Sequence, residues 1–430
     1  MSIDIQPLQL PRGCLMIDVA GTALTAEERE RLCDPRVGGV IFFARNYTDS
    51  EQLRALAAEI RALRSPSLVI AVDHEGGRVQ RFRGDGFTRL PAMRTIGALW
   101  ESDHVEALAA ARTTGFVLAA ELVAHGVDLS FAPVLDLDYA CSRAIGNRAF
   151  HRDPAVVAAL AQSLVAGMAE AGMGAVGKHF PGHGCVEADS HHDVPVDERA
   201  FETIWADDMA PYRHRLLRQL AGVMPAHVVY SRAEPQNPGP AGFSRFWLND
   251  ILRGRLGFNG VIFSDDLNMA GALVAGDIVA RVSAAAAAGC DMLLVCNRPD
   301  LVAELFDRGM PEPDAASLAR LAALATPVSR PWCADPFALE LYLPYLQARE
   351  KVLALSAMDS VDNSTMAAAT IGMGLPNKGS DGQFPSALAG PVEARDSTEN
   401  AFRQVQGERN CPETQGERNC PETSGPLPRT

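Results

Sequence analysis

Carboxylates, cations and histidines gather in a few short segments of this chain, each directly after an apolar run. Asp73-His74-Glu75-Gly76-Gly77-Arg78, with Arg81 close behind, follows the run at 68–72. Asp136 and Asp138, then Arg148, follow 129–135. Lys178-His179-Phe180-Pro181-Gly182-His183-Gly184 closes the run at 175–179 and leads to Asp189-Ser190-His191-His192-Asp193. His227 ends the run at 222–226, and Ser264-Asp265-Asp266 ends that at 260–263. Two carboxylates emerging from Val261-Ile262-Phe263 are costly to bury unless they are used. The set suits two chemistries. One is acid–base plus nucleophilic catalysis, with one carboxylate attacking and another group moving a proton. The other is metal-assisted hydrolysis, in which His179, His183, Asp189, His191, His192 and Asp193 could act as ligands. Against the metal reading, the chain has no His-Glu-x-x-His, and the first apolar run ends in Asp18-Val19-Ala20 without a His-x-His pair. Taken singly, each residue also has a plain structural role: Asp189 in a turn, Asp193 as a solvated charge, His183 satisfying loop backbone between two glycines.

Eight apolar runs of strand length must position these groups: 14–19, 39–43, 68–72, 129–135, 175–179, 222–226, 260–263 and 291–296. Most are continuous rather than alternating, as expected of strands buried on both faces of a parallel sheet. Helical patterns lie between several of them. Thr48-Asp49-Ser50-Glu51 reads as a capping box ahead of Leu53, Leu56, Ile60 and Leu63. Asp153-Pro154 supplies an N-cap and an N1 proline for Val156, Val157, Leu160, Leu164 and Met168. Segments 201–220 and 277–288 are further helix candidates. Repeated strand and crossover predict an α/β fold, a single closed (β/α)₈ barrel. A doubly wound open sheet is the alternative, but no Gly-x-Gly-x-x-Gly follows the first strand. In a barrel all strand C-termini meet at one mouth, where the polar segments would converge.

The chain's 430 residues carry 39 Lys+Arg against 53 Asp+Glu, a formal net charge of -14. That balance argues against nucleic-acid or anionic-membrane partners. No unbroken apolar run reaches the ~18 residues of a membrane span. Residues 1–10 carry Asp4 and no basic stretch, so they do not read as a signal peptide. Nine cysteines, an odd number without a Cys-x-x-Cys, speak against a disulfide framework or a zinc cluster and point to a reducing cytoplasm. Composition changes at Ala357. Beyond it there is no His, Trp or Tyr, and QGERNCPET occurs at 406–414 and again at 415–423. Residues 1–357 are therefore expected to form the catalytic domain, and 358–430 a disordered low-complexity tail whose Cys411 and Cys420 are exposed thiols.

Gly177-Lys178-His179-Phe180-Pro181-Gly182-His183-Gly184, followed by Asp189-Ser190-His191, resembles the family 3 glycoside hydrolases, and most closely their bacterial β-N-acetylglucosaminidase branch. Asp73 to Arg81, Ile145-Gly146-Asn147-Arg148 and Phe263-Ser264-Asp265-Asp266-Leu267 are similar to the family's other landmarks, in order, over about 10–355. The resemblance implies a (β/α)₈ barrel and retaining cleavage of terminal β-linked N-acetylglucosamine, without metal or organic cofactor. In cytoplasmic members of the branch the substrate is a peptidoglycan fragment, GlcNAc joined to 1,6-anhydro-N-acetylmuramic acid with or without peptide. It implies Asp265 as nucleophile, with Asp266 as runner-up, and His191 as general acid/base with Asp189 as its partner. Asp73, Arg81, Arg148, Lys178 and His179 would hydrogen-bond the terminal sugar. The expected partner is a saccharide or muropeptide, the expected oligomeric state a monomer.

These roles are physically reasonable. A retaining glycosidase usually places two carboxyl groups ~5 Å apart. A histidine's ordinary pKa of ~6.5 lies nearer neutrality than glutamate's ~4.3, so it exchanges protons without burial and adds no second negative charge beside the nucleophile. Asp189 can hold the imidazole's tautomer, as the third member of a triad does. The glycines at 182 and 184 and the polar run after them predict a loop that moves His191 in when substrate binds. Two departures from the family stand out. Pro225 precedes Ala226 where threonine is common, which predicts a bulge or strand end and leaves the role of His227 open. The tail has no family counterpart, and the second sandwich domain of glucan-cleaving relatives is absent. Rival readings are a phosphorylase, in which phosphate attacks the intermediate, and a catalytically silent sugar-binding protein.

Overall fold

The computed structural model describes residues 8–187, 194–236, 239–324 and 330–372. All of them fall within one compact unit, Met1–Met373. The expected tail beyond 372 lies outside the described residues, as do Asp189 and His191. Eight parallel strands form one sheet: β1 Leu15–Ile17, β2 Val37–Phe42, β3 Val69–Val72, β4 Leu129–Ser130, β5 Gly174–Phe180, β6 Gly222–Pro225, β7 Val261–Ile262 and β8 Leu293–Val295. Their spatial order is β7-β6-β5-β4-β3-β2-β1-β8. Past the last regular pair, Phe263 bridges Met292 in parallel, and the Ser264 and Leu267 N–H groups donate to Met292 and Leu294 at 2.8 and 2.9 Å. The end strands are thereby joined, and the fold is the (β/α)₈ barrel expected.

Two strands deviate where proline removes a ladder donor. Of the run at 129–135 only Leu129–Ser130 pairs regularly; beyond Pro133 the ladder resumes as a single Val134–Lys178 bridge. In β6 the register against β5 shifts between Met224 and Pro225, so Pro225 faces Phe180. Strand β6 ends at Pro225, as its proline predicts, and the extra, unpaired residue of the shift is His179 on β5.

Helices fill the crossovers. Ser50–Ala62 is capped by Asp49, which accepts the Gln52 N–H at 2.8 Å, so the cap lies one residue later than the Thr48–Glu51 box suggested. The Thr48 N–H instead donates to the Gln52 side chain at 2.9 Å. Pro154–Glu170 and Ile278–Ala288 start at Asp153 and Asp277 as read. The candidate helix at 201–220 is broken into Phe201–Ala206, Ala210–Arg213 and Arg215–Gln219, because Pro211 cannot supply the N–H that a continuous helix needs.

Helix His104–Ala124 gives no amphipathic signal, since it is apolar nearly all round. By length and composition it could cross a bilayer, although no unbroken apolar run shows this. It is mostly buried, as a core helix is. Its contact with Pro154–Glu170 is close: a Cβ added at Gly115 would lie 2.1 Å from the Leu164 carbonyl oxygen, and one at Gly167 1.9 Å from that of Arg112. Inside it, Glu121 accepts the Thr88 hydroxyl at 2.5 Å, the Thr88 N–H at 2.9 Å and the Tyr345 hydroxyl at 2.9 Å. Leu343–Gly372 runs on across position 357, and Asp359 accepts the Ala92 N–H at 2.7 Å.

Candidate active site

The polar segments converge at the C-terminal mouth of the barrel, around a cavity of about 460 Å³. Asp73, Arg81, Arg148, Lys178, His179 and Asp265, six residues singled out in the sequence, all line it. Asp266, the runner-up, also lines it.

Beyond β3 the chain forms a short antiparallel hairpin, His74–Gly76 against Val79–Gln80. Its turn needs glycine: Gly76 and Gly77 have φ of +110° and +52°, and Cβ atoms there would meet the Pro91 carbonyl oxygen at 2.4 Å and the Ala92 Cβ at 2.9 Å. Asp73 and Glu75 are two apart along extended chain and so share a side. Lys178, from β5, reaches both, its Nζ 2.7 Å from Asp73 Oδ1 and 2.7 Å from Glu75 Oε1. Arg148 grips Glu75 in a fork, Nε to Oε2 at 2.8 Å and Nη2 to Oε1 at 2.8 Å. Arg81 is the loosest member, 3.4 Å from Asp73, and its Nε is buried without a partner.

Burial alone would raise the Asp73 carboxyl, but the Lys178 ammonium and Arg81 guanidinium outweigh it and hold it below the usual range. Glu75 is likewise penalised by burial and held far below the carboxylate range by Arg148 and Lys178. Burial would lower Lys178, yet Asp73 and Glu75 raise it. Asp73, Glu75, Lys178 and the Arg148 guanidinium, which burial would lower but Glu75 raises, are therefore all charged at neutral pH, as fixed donors and acceptors. Such an alternation suits the hydroxyls of a neutral polyol.

A second network lies beneath. The fully buried carboxylate of Asp136, after β4, accepts the His179 Nδ1–H at 2.7 Å and the His183 backbone N–H at 2.7 Å. Burial raises this carboxyl, but His179 and His183 bring it below its ordinary value. Burial and the neighbouring His179 push the His183 imidazole down to about 4, so it is neutral. Asp136 therefore sets the His179 tautomer and anchors the first residues of the segment leading to Asp189 and His191.

At the end of β7 the two neighbouring aspartates differ. Asp265 Oδ1 accepts the Asp266 N–H at 2.8 Å, which orients its carboxylate. Asp266 turns its Oδ1 to the N–H groups of Asn268 and Cys296, at 3.0 and 3.1 Å. Burial, opposed by these bonds and reinforced by the Asp265 charge, pushes Asp266 up to about 7. Asp266 is therefore a turn-holding carboxyl. The buried His227, past the end of β6, donates from Nε2 to the Asp266 carbonyl oxygen at 3.1 Å and so supports the same turn.

Sequence reasoning passed over Glu75 and Asp136 as site members. For Glu75 the signal was its i, i+2 relation to Asp73. Asp136 stands in the same relation to Asp138, but that pattern does not show the histidine it holds. Among the described residues no three His, Cys, Asp or Glu side chains are grouped as a metal site; His191, His192, Asp189 and Asp193 lie outside them.

The profile of the glycosyl hydrolase family 3 N-terminal domain matches residues 5–322. The β-hexosaminidase of Aromatoleum aromaticum is 70% identical over 352 residues, 82% of this chain and 97% of that one. Among solved structures, NagZ from Neisseria gonorrhoeae in complex with N-trifluoroacetyl-D-glucosamine is 49% identical, with a TM-score of 0.75. The same protein in complex with a zinc ion is 48% identical, with a TM-score of 0.74; each match covers 81% of this chain and 99% of that one. The chain belongs to glycosyl hydrolase family 3, on the branch that holds these bacterial β-hexosaminidases.

Proposed function

We propose that this protein is a retaining exo-β-N-acetylglucosaminidase that removes terminal GlcNAc from GlcNAc-1,6-anhydro-MurNAc and its peptides in the cytoplasm. The observation that carries the reading is the convergence of Asp265 with Asp73, Arg81, Arg148, Lys178 and His179 on one cavity. A carboxylate facing a fixed set of hydroxyl donors and acceptors fits a sugar seated over a nucleophile. The sugar analogue bound by the Neisseria protein and the name of the Aromatoleum relative support an N-acetylhexosamine as that sugar.

In the first half-reaction Asp265 attacks the anomeric carbon as His191 protonates the leaving oxygen, giving a glycosyl-enzyme. In the second, His191 deprotonates a water that displaces Asp265 with net retention. Asp189 orients His191 and stabilises its protonated form. Arg81, held only loosely to Asp73 at 3.4 Å, is the member of the sugar-binding set freest to shift toward substrate.

The test is hydrolysis of 4-nitrophenyl N-acetyl-β-glucosaminide by wild type and Asp265→Ala, in phosphate-free buffer with and without chelator. Release by wild type alone, unaffected by chelator, is expected. Azide should partly restore Asp265→Ala and yield the α-glycosyl azide, because it attacks the face that the lost carboxylate occupied. Turnover equal in both proteins would remove Asp265 from the mechanism. A requirement for phosphate with release of sugar 1-phosphate would assign a phosphorylase, and loss with chelator a metal hydrolase. Cleavage of the anhydro-muropeptide, compared with chitobiose, checks the leaving group.

A further inference from the structure

At the opposite, N-terminal end of the barrel, beside the starts of β6 and β7, lies a second cavity of about 610 Å³. Arg213, His214, Arg215, Arg218 and Arg255 line it together with Trp205, and no Asp or Glu does. In a chain with 53 acidic residues against 39 basic ones, such a local reversal of sign is unexpected. Several exposed arginines elsewhere have carboxylate partners, Arg152 with Asp207, Arg298 with Asp300, Arg308 with Asp277 and Glu304, whereas four are gathered here without one among the described residues.

They are held by other means. The Arg255 guanidinium lies 3.6 Å from the centre of the Trp205 ring and that of Arg213 5.1 Å from it. Arg213 also donates to the Ala206 carbonyl oxygen at 3.2 Å. Ring faces thus order two guanidiniums without neutralising them. His214 Nδ1 accepts the Leu216 N–H at 3.4 Å, which leaves its other ring nitrogen as a donor. Four like charges around one cavity repel one another, and each guanidinium is a planar fork matched to an oxyanion.

We propose that this cavity is a binding site for a small molecule bearing two or three linked phosphate groups. A single oxyanion would leave most of the charge uncompensated, whereas a linked di- or triphosphate can meet several forks at once, and the volume is in the range of small-molecule sites. The site is separate from the sugar cavity at the other end of the barrel.

The test is calorimetric titration of the full-length protein, at fixed ionic strength, with inorganic triphosphate, ATP and orthophosphate. One saturable site per chain for triphosphate and ATP is expected, with orthophosphate at least about tenfold weaker. The double variant Arg215→Glu/Arg218→Glu should weaken triphosphate binding at least about tenfold, and the milder Arg215→Gln about threefold, since each removes a fork. Circular dichroism and hydrolysis of the nitrophenyl glycoside should match wild type in both variants. Heats that never saturate, or equal binding by wild type and either variant, would overturn the site. Binding of ATP without binding of triphosphate would overturn the phosphate chemistry.

Discussion

Replacing Glu75 with glutamine tests whether the charge network at the mouth works as a unit. Glu75 and Lys178 side chains are only 2% and 3% exposed, so the energetics are those of a desolvated pair and not of a surface ion pair. Three charge-assisted bonds end on this carboxylate, two from Arg148 at 2.8 Å and one from Lys178 at 2.7 Å. Glutamine has the same shape. Its oxygen can keep the Oε1 position, which serves Arg148 Nη2 and Lys178 Nζ, but its amide then faces the Arg148 Nε–H donor to donor. Lys178 keeps its contact with Asp73, while Arg148 is left with only the more distant charges of Asp136 and Asp73. Breaking a buried pair by removing one charge costs about 3–5 kcal/mol. A drop of that size in unfolding free energy is expected by urea titration, with an unchanged m-value. Turnover of the nitrophenyl glycoside should fall about 100-fold or more in kcat/KM, corresponding to about 2.7 kcal/mol of lost transition-state binding. Because Glu75 is held far below the ordinary range, its contribution is present at every pH above its unfolded value and fades only as pH falls through the folded one. Acidification to about pH 5 should therefore not mimic the variant in wild type, since an unfolded glutamate titrates near ~4.3. Stability within about 1 kcal/mol of wild type, together with kcat/KM within about twofold, would refute the reasoning, because one desolvated charge-assisted bond alone exceeds that.

Two further substitutions probe the buried carboxyl groups. Asp136→Asn can satisfy either the His179 Nδ1–H or the His183 N–H but not both as an acceptor; kcat/KM should fall about 10- to 100-fold, as loss of one charge-assisted bond implies, and an unchanged pH–rate profile and rate would remove Asp136 as a positioning residue. Glu121 is pushed by burial up to about 7, against an ordinary 4.5. Its folded pKa is raised, so its stabilisation is complete below the unfolded value and lost as pH rises through about 7, a change on the order of 3 kcal/mol. Glu121→Gln should flatten the decline in unfolding free energy between about pH 4.5 and 8 by that amount, with Asp266 cancelling in the comparison; parallel curves for the two proteins would exclude Glu121 as its source.

Much of the barrel was legible because buried parallel strands are apolar without alternation, and all eight runs hold a strand. What failed to show in the sequence has specific causes. Helix His104–Ala124 is apolar nearly all round, so periodicity could not reveal it. Pro211 split a segment whose hydrophobic spacing alone suggested one helix. Thr48 and Asp49 are both good caps, and only the Asp49–Gln52 bond separates them. At the site, residue types and their place after strands identified the cavity-lining set. Neither could separate Asp265 from Asp266, since the difference lies in which carboxyl receives the backbone N–H groups from β8 and the turn. Glu75 and Asp136 were missed for the same physical reason. Glu75 lines the cavity and Asp136 lies beneath it, and their importance lies in which charge they compensate, a quantity fixed only when β3, β4 and β5 are side by side.

That compensation bears on the proposed reaction. Arg81, Arg148 and Lys178 place three positive charges on one wall of a cavity whose substrate is uncharged at the reacting sugar. Glycoside cleavage passes through an oxocarbenium-like state, so positive charge develops on that sugar. Three uncompensated cations nearby would oppose it and would also draw the Asp265 carboxylate away from the anomeric carbon. Asp73 and Glu75 remove both problems. They hold Lys178 and Arg148 in fixed hydrogen-bonding positions while cancelling most of their field, and a histidine proton donor adds no negative charge to compete with Asp265. If so, Glu75→Gln should depress kcat more than it raises KM, because the field matters more to the charged transition state than to the neutral ground state. A variant with raised KM and undiminished kcat would instead mean that Glu75 serves binding geometry alone.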